Sequence, residues 1–157
     1  MQHDFQIVAL EGETFAGYFS KTEQELKSLN AMRLIADKKP GFPCRVSLQD
    51  AEMGEVVLLL SYVHQNAGSP YQSSGAIFIR KNAKTAHLGK NEIPNMLRHR
   101  LLSVRAYNAD NMMLEAMVIE GKILEETIHA LFEKKEIAYL HIHNAKPGCY
   151  NCLVQRA

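Results

Sequence analysis

Two imidazoles and two thiols stand in one short stretch, His141-Ile142-His143-Asn144-Ala145-Lys146-Pro147-Gly148-Cys149-Tyr150-Asn151-Cys152. These side chains bind a borderline-soft divalent ion such as zinc. The preceding Ile137-Ala138-Tyr139-Leu140 reads as a strand running toward a Pro-Gly turn. Strand side chains alternate, so His141 and His143 share a face with Ile137 and Tyr139. Their Cα atoms then lie roughly 6.5 Å apart, near enough for both rings to reach one ion. Cys149 and Cys152 have the two-residue spacer of a zinc knuckle and would complete a Cys2His2 set. If the chain is already extended at Cys149, the three-residue offset puts the thiols on opposite faces and joint chelation fails. Both geometries stay open, as does the plainer reading of hydrogen-bonded core histidines. A redox pair is disfavoured, because no helix signal follows Cys149.

A second constellation flanks the best strand: Arg45, His64, Tyr71 and Arg80, joined by His143 and Asn144. Two guanidinium groups can hold a carboxylate or phosphate through paired charge-assisted bonds. Histidine titrates near neutrality, and tyrosine can donate a hydrogen bond or a proton. The plainer alternative is that arginines at strand ends are solvated caps, with Cys44 a small buried apolar group beside Pro43. Gly89-Lys90-Asn91 lacks the spacing of a phosphate loop, and neither Ser73 nor Ser74 sits in a nucleophile elbow.

The elements that must position these residues follow from periodicity. Strands are expected at Asp4 to Leu10, Ala31 to Ala36, Cys44 to Leu48, Val56 to Val63 and Ala76 to Arg80. Leu101 to Tyr107, Met112 to Glu120, Ile137 to His143 and a short piece at Leu153-Val154 complete the set. Val56 to Val63 is apolar on both faces, which predicts a central position in its sheet. Ser20-Lys21-Thr22-Glu23 fits a capping box opening a short helix through Leu26 and Leu29, and Pro94 fits the first turn of another. Leu124, Ile128, Leu131 and Phe132 repeat at helical spacing within Lys122 to Lys135. The fold class is therefore α+β, a mainly antiparallel sheet with about two helices packed on it, in one domain over residues 1–157.

Composition narrows the function classes. At 157 residues and 46% hydrophobic, the chain can bury one core without metal or disulfide staples. Three cysteines are too few and too odd for a disulfide framework. The longest apolar run, Val56 to Leu60, is too short to span a bilayer, and Met1 to Asp4 has no basic or apolar leader pattern, which points to the cytoplasm. Seven cations between Arg80 and Arg105 face only Glu92, a local +6, whereas the chain onward to Glu136 is locally −4. These stretches compensate one another within the fold or across a dimer, or the first forms a basic rim over an anionic small molecule. With a net charge of +1 and few aromatics in the basic stretch, nucleic acid is an improbable partner.

Several blocks in order resemble an uncharacterised bacterial family catalogued as domain of unknown function 1203. They are Pro43-Cys44-Arg45, Asp50-Ala51 with Gly54-Glu55, Tyr62 with His64-Gln65, Ser69-Pro70-Tyr71, Ser74-Gly75 with Ile77-Phe78, and His141 to Cys152. The resemblance implies a small single-domain protein and brings no assigned activity. Gln72 and Ala76 stand where that pattern often has a basic residue and a proline, so an anion clamp at Gln72 is in doubt. Two expectations result. One is a small-molecule-binding domain, its enzymatic status open, with a pocket for an anionic ligand built from Arg45, His64, Tyr71, Arg80, His143 and Asn144. The other is a metal-stabilised, non-enzymatic module, a homodimer or larger homo-oligomer, holding zinc on His141, His143, Cys149 and Cys152.

Overall fold

The computed structural model describes residues 3–157; Met1 and Gln2 lie outside the described residues. Eight strands are described: β1 (Phe5–Val8), β2 (Ala31–Ile35), β3 (Val56–Gln65), β4 (Ser73–Arg80), β5 (Leu101–Tyr107), β6 (Met113–Glu120), β7 (Tyr139–Asn144) and β8 (Tyr150–Arg156). Four short α-helices accompany them: α1 (Glu13–Ala16), α2 (Glu23–Ser28), α3 (Asn95–Arg98) and α4 (Leu124–Phe132). The strands form an antiparallel five-stranded sheet ordered β1-β8-β7-β5-β6 and an antiparallel three-stranded sheet ordered β2-β3-β4. This is an α+β fold. Among the described residues, no helix is long and apolar enough to cross a membrane.

Each sheet owns a core. One face of the larger sheet carries Leu102, Val104, Ala106, Leu140, Ile142, Cys152 and Val154, packed with Ile128, Leu131 and Phe132 of α4. The period-3.6 stripe of α4 and the period-2 stripes of the strands meet there, as amphipathic elements must. The smaller sheet packs Leu58, Leu60, Ile77 and Ile79 against Phe15 and Leu26. β3 is central in that sheet, in keeping with its unbroken apolar run.

Two local expectations shift. Cys44 to Leu48 is not a strand: Leu48 donates its amide to the Cys44 carbonyl at 3.0 Å and adopts φ of 54°, which closes a turn and ends any ladder. Cys44 keeps a single parallel bridge to Phe78. The capping box lies two residues beyond Ser20, where Thr22 accepts from the Glu25 amide and Glu25 accepts from the Thr22 amide.

Gly121 lets β6 turn tightly toward α4. A Cβ there would lie 1.8 Å from the Leu97 carbonyl oxygen, and its amide already donates to Arg100 O at 2.7 Å. G121A should therefore lower unfolding free energy by about 3 kcal/mol, because two backbone segments must separate. Urea titration monitored by circular dichroism checks this; a loss under about 1 kcal/mol would mean that the turn yields.

Candidate metal centre

His141 and His143 alternate along β7 with the core residues Leu140 and Ile142, so both rings leave the hydrophobic core and face the seam between the sheets. Across that seam comes His64, near the end of β3. The β3–β4 register shifts between Val63 and Gln65, leaving His64 as the unpaired residue of a bulge. A bulge bends the strand and re-aims the side chain it carries. A second irregularity, between Ile142 and His143 in the β7–β8 ladder, places the extra residue Asn151 beside the same region.

One ring nitrogen from each of His64, His141 and His143 lies within 4.8 Å of those of the other two. The rings are walled by tyrosines. Tyr150 stacks on His64 with centroids 5.4 Å apart and planes inclined by 6°, and meets His141 edge-on at 5.1 Å. Tyr107 packs on His141 at 5.2 Å and stacks on Tyr139 at 5.1 Å. Tyr139 is fixed in turn by Gln65, which donates to its hydroxyl at 3.0 Å, and by Asn111, which accepts from it at 2.8 Å.

The hydrogen bonding leaves the three rings incomplete. His64 Nδ1, His141 Nδ1 and His143 Nε2 are buried without a partner. The other nitrogen of His143, Nδ1, lies 2.9 Å from the Gly148 carbonyl, which can only accept. His143 therefore carries its proton on Nδ1 and turns a free lone pair out from Nε2, the arrangement by which a backbone carbonyl orients a metal-binding imidazole. Burial holds all three rings neutral. It is the main cause in each case, with Arg105 adding a repulsive positive charge: His64 is lowered, His141 falls to about 4, and His143 to about 3 despite the opposing Gly148 bond. Arg105 stands directly across from His141 in the β5–β7 ladder, and among the described residues its side chain bonds Ser103 Oγ alone, at 3.3 Å.

The structure distributes the other candidates differently. Cys152 is fully buried in the core beside Ile142, and burial pushes its thiol up to about 12. Cys149 is half-buried ahead of β8 and accepts a hydrogen bond from Asn144 Nδ2 at 3.3 Å. Neither thiol belongs to the histidine group. Tyr71 reaches the edge of the cluster through Tyr107, edge-on at 6.1 Å. Asn144 accepts from Asn151 at 2.7 Å and supports the turn rather than the rings. Arg45 lies behind the site, its Nε donating to the Tyr150 carbonyl at 2.6 Å and its Nη1 to that of Pro43. Arg80 is at the opposite end of the β3–β4 hairpin, paired with Glu55 at 2.7 Å on the rim of a separate polar groove of about 1070 Å³.

Sequence reasoning did not single out Tyr107, Tyr139, Tyr150 or Arg105. For Tyr139 the signal was present, since strand alternation puts it on the face of His141 and His143. Arg105 was marked only as one of the seven cations of the basic stretch, and Tyr107 not at all, because the β5–β7 pairing that brings them alongside His141 is a tertiary fact.

The family described as "Protein of unknown function (DUF1203)" matches residues 41–156, which include all three histidines and the tyrosines that surround them. The chain belongs to that family. No curated protein matches the chain, and no solved structure does.

Proposed function

We propose that this DUF1203 protein holds one divalent transition-metal ion on His64, His141 and His143 and presents it to an anionic small molecule beside Arg105. The observation that carries the reading is the set of three buried ring nitrogens without partners, one on each histidine of the cluster. An orphaned buried nitrogen costs about 1–3 kcal/mol, and an ion held by the cluster would relieve each such nitrogen that coordinates it. Neutral imidazoles suit zinc, copper, nickel or iron, with zinc the first choice for a tetrahedral site. Closing the nitrogens to the separation of about 3.3 Å required by bonds of about 2.0–2.1 Å asks for a small inward turn of His64, the least buried of the three.

Three neutral ligands leave the ion its full double charge and a fourth position for an exogenous group. Arg105 adds a cation that forms no ion pair with a carboxylate among the described residues. The complement to that charge is an anion, a carboxylate or an oxyanion. All three cysteines are unpaired, in keeping with the reducing cytoplasm, where we place the protein. Cobalt(II) loaded into chelator-treated protein provides the test. Tetrahedral d–d bands should appear and shift on adding acetate or inorganic phosphate, and more weakly so in Arg105→Ala. Absence of the bands would remove the metal, and bands indifferent to both anions would remove the ligand.

A second reading, a self-associating module, is favoured by one observation. Leu114 and Val118, 42% and 62% exposed, share the outward face of the edge strand β6 with Ala116 between them. Such an edge is a natural place for a second copy to pair. Sedimentation of the wild type and of Val118→Lys separates this reading from the first: a monomer in both would exclude it.

A further inference from the structure

The register of the larger sheet grades one of its faces outward from the histidines. β5 lies between β7 and β6 and pairs with both. Directly paired residues send their side chains to the same face. His143, Ser103 and Val118 therefore form one row across these strands, and His141, Arg105 and Ala116 form the next. Both rows read alike, with an imidazole on β7, a polar group on β5 and an apolar one on β6. The alternate residues Leu102, Val104 and Met117 belong to the core on the other face, where α4 packs.

The middle column is suited to a carboxylate. Arg105 carries a charge that no carboxylate matches among the described residues. Ser103 Oγ accepts from Arg105 Nε at 3.3 Å, which leaves the hydroxyl proton to donate. Beyond them on β6, Val118 is 62% exposed and Ala116 is exposed as well. Glu120, the acidic residue of that face of β6, is already tied to Lys122 at 2.8 Å. One strand spacing, about 4.8 Å, separates the polar column from the apolar one, and a short alkyl chain covers it.

We infer that the anion taken at this face is a carboxylate with an alkyl tail, its head held by Arg105 and Ser103 and its tail laid on Ala116 and Val118. This deepens the reading of the histidine centre as an anion site and rests on it. Arg105 and Ser103 supply the charge complement, while the exposed apolar column decides which carboxylates bind well. A fully buried methylene is worth about 4-fold in affinity, and a chain resting on one open face gains about half of that free energy, about 2-fold per methylene.

The test titrates the whole isotope-labelled chain, both chelator-stripped and zinc-loaded, with acetate, butanoate, hexanoate and hexanol, and reads amide chemical shifts. Hexanoate should bind about 10-fold more tightly than acetate, butanoate between them and hexanol far more weakly, with the largest shifts at Ser103, Arg105, Ala116 and Val118. Val118→Asn, a change on an exposed strand face, should narrow the hexanoate-to-acetate ratio about 3-fold. Equal binding by the stripped and zinc-loaded forms would remove the metal and leave the carboxylate face standing. Equal affinity for acetate and hexanoate, hexanol matching hexanoate, or an absence of shifts on this face overturns the inference. Shifts at Ala116 and Val118 that follow protein concentration and ignore hexanoate would give the face to a second copy and overturn it too.

Discussion

Zinc added to chelator-stripped protein should bind at one ion per chain, and His143→Ala should lose that binding. His143 is the decisive position because its Nε2 is buried and the ring is oriented by the Gly148 carbonyl. Removing one of three ligands should weaken binding by at least about 100-fold; loss of a supporting contact alone already costs about 10–100-fold. Cys149→Ser and Cys152→Ser should bind as the wild type does, since neither thiol joins the histidine group. Retention in those variants together with loss in His143→Ala distinguishes a three-histidine centre from a Cys2His2 one. Stability provides an independent readout. At a free zinc concentration about 100 times Kd, the folded state gains about 2.7 kcal/mol, which raises Tm by roughly 5–11 °C for a chain of this size. Unchanged melting with stoichiometric metal present, or full binding by His143→Ala, would return the cluster to plain packing.

Without metal, the same histidines should make the fold sensitive to mild acid. In the unfolded chain a histidine titrates near 6.5, whereas burial lowers His141 to about 4 and His143 to about 3. Their contribution to stability is complete above about pH 6.5. As pH falls through that value, the unfolded chain takes up protons that the folded one refuses, and the contribution drains away until the folded values are reached. The slope is about 1.4 kcal/mol per pH unit for each ring, so the pair removes up to about 2.7 kcal/mol per unit between about pH 6 and pH 5. Urea midpoints measured in chelator across that interval would record it. His143→Asn keeps a donor for the Gly148 carbonyl but cannot titrate, and it should cut the slope by about half. An unaltered slope in that variant would mean that His143 is already charged in the folded protein. Zinc should suppress the slope near neutrality, because a coordinated imidazole is held in its neutral form.

What could be read along the chain was whatever depends on local periodicity. Alternation of side chains put His141 and His143 on one face of a strand, and β7 has them there, opposite Leu140 and Ile142. The 3.6-residue stripe of Leu124, Ile128, Leu131 and Phe132 marked α4, and the strands expected at Leu101 to Tyr107 and Met112 to Glu120 pair as β5 and β6. Those features arise from sterics and hydrogen bonding between near neighbours, so the residues themselves carry them.

The make-up of the centre was decided at longer range. His64 comes to the pair on β7 only because the β3 bulge turns it and the two sheets meet along one seam, and nothing in its own neighbours specifies either event. Cys152 leaves the set for a corresponding reason. Once Ile142 pairs with Cys152 in the β7–β8 ladder, the thiol shares the core face of that isoleucine, and the one-residue shift at Asn151 separates it from the histidines. Side-chain direction reverses with every residue of strand, so one bulged position reassigns which groups meet. The types of residue able to hold an ion were therefore set by the chain, and the choice of which three converge was made by strand register and sheet order.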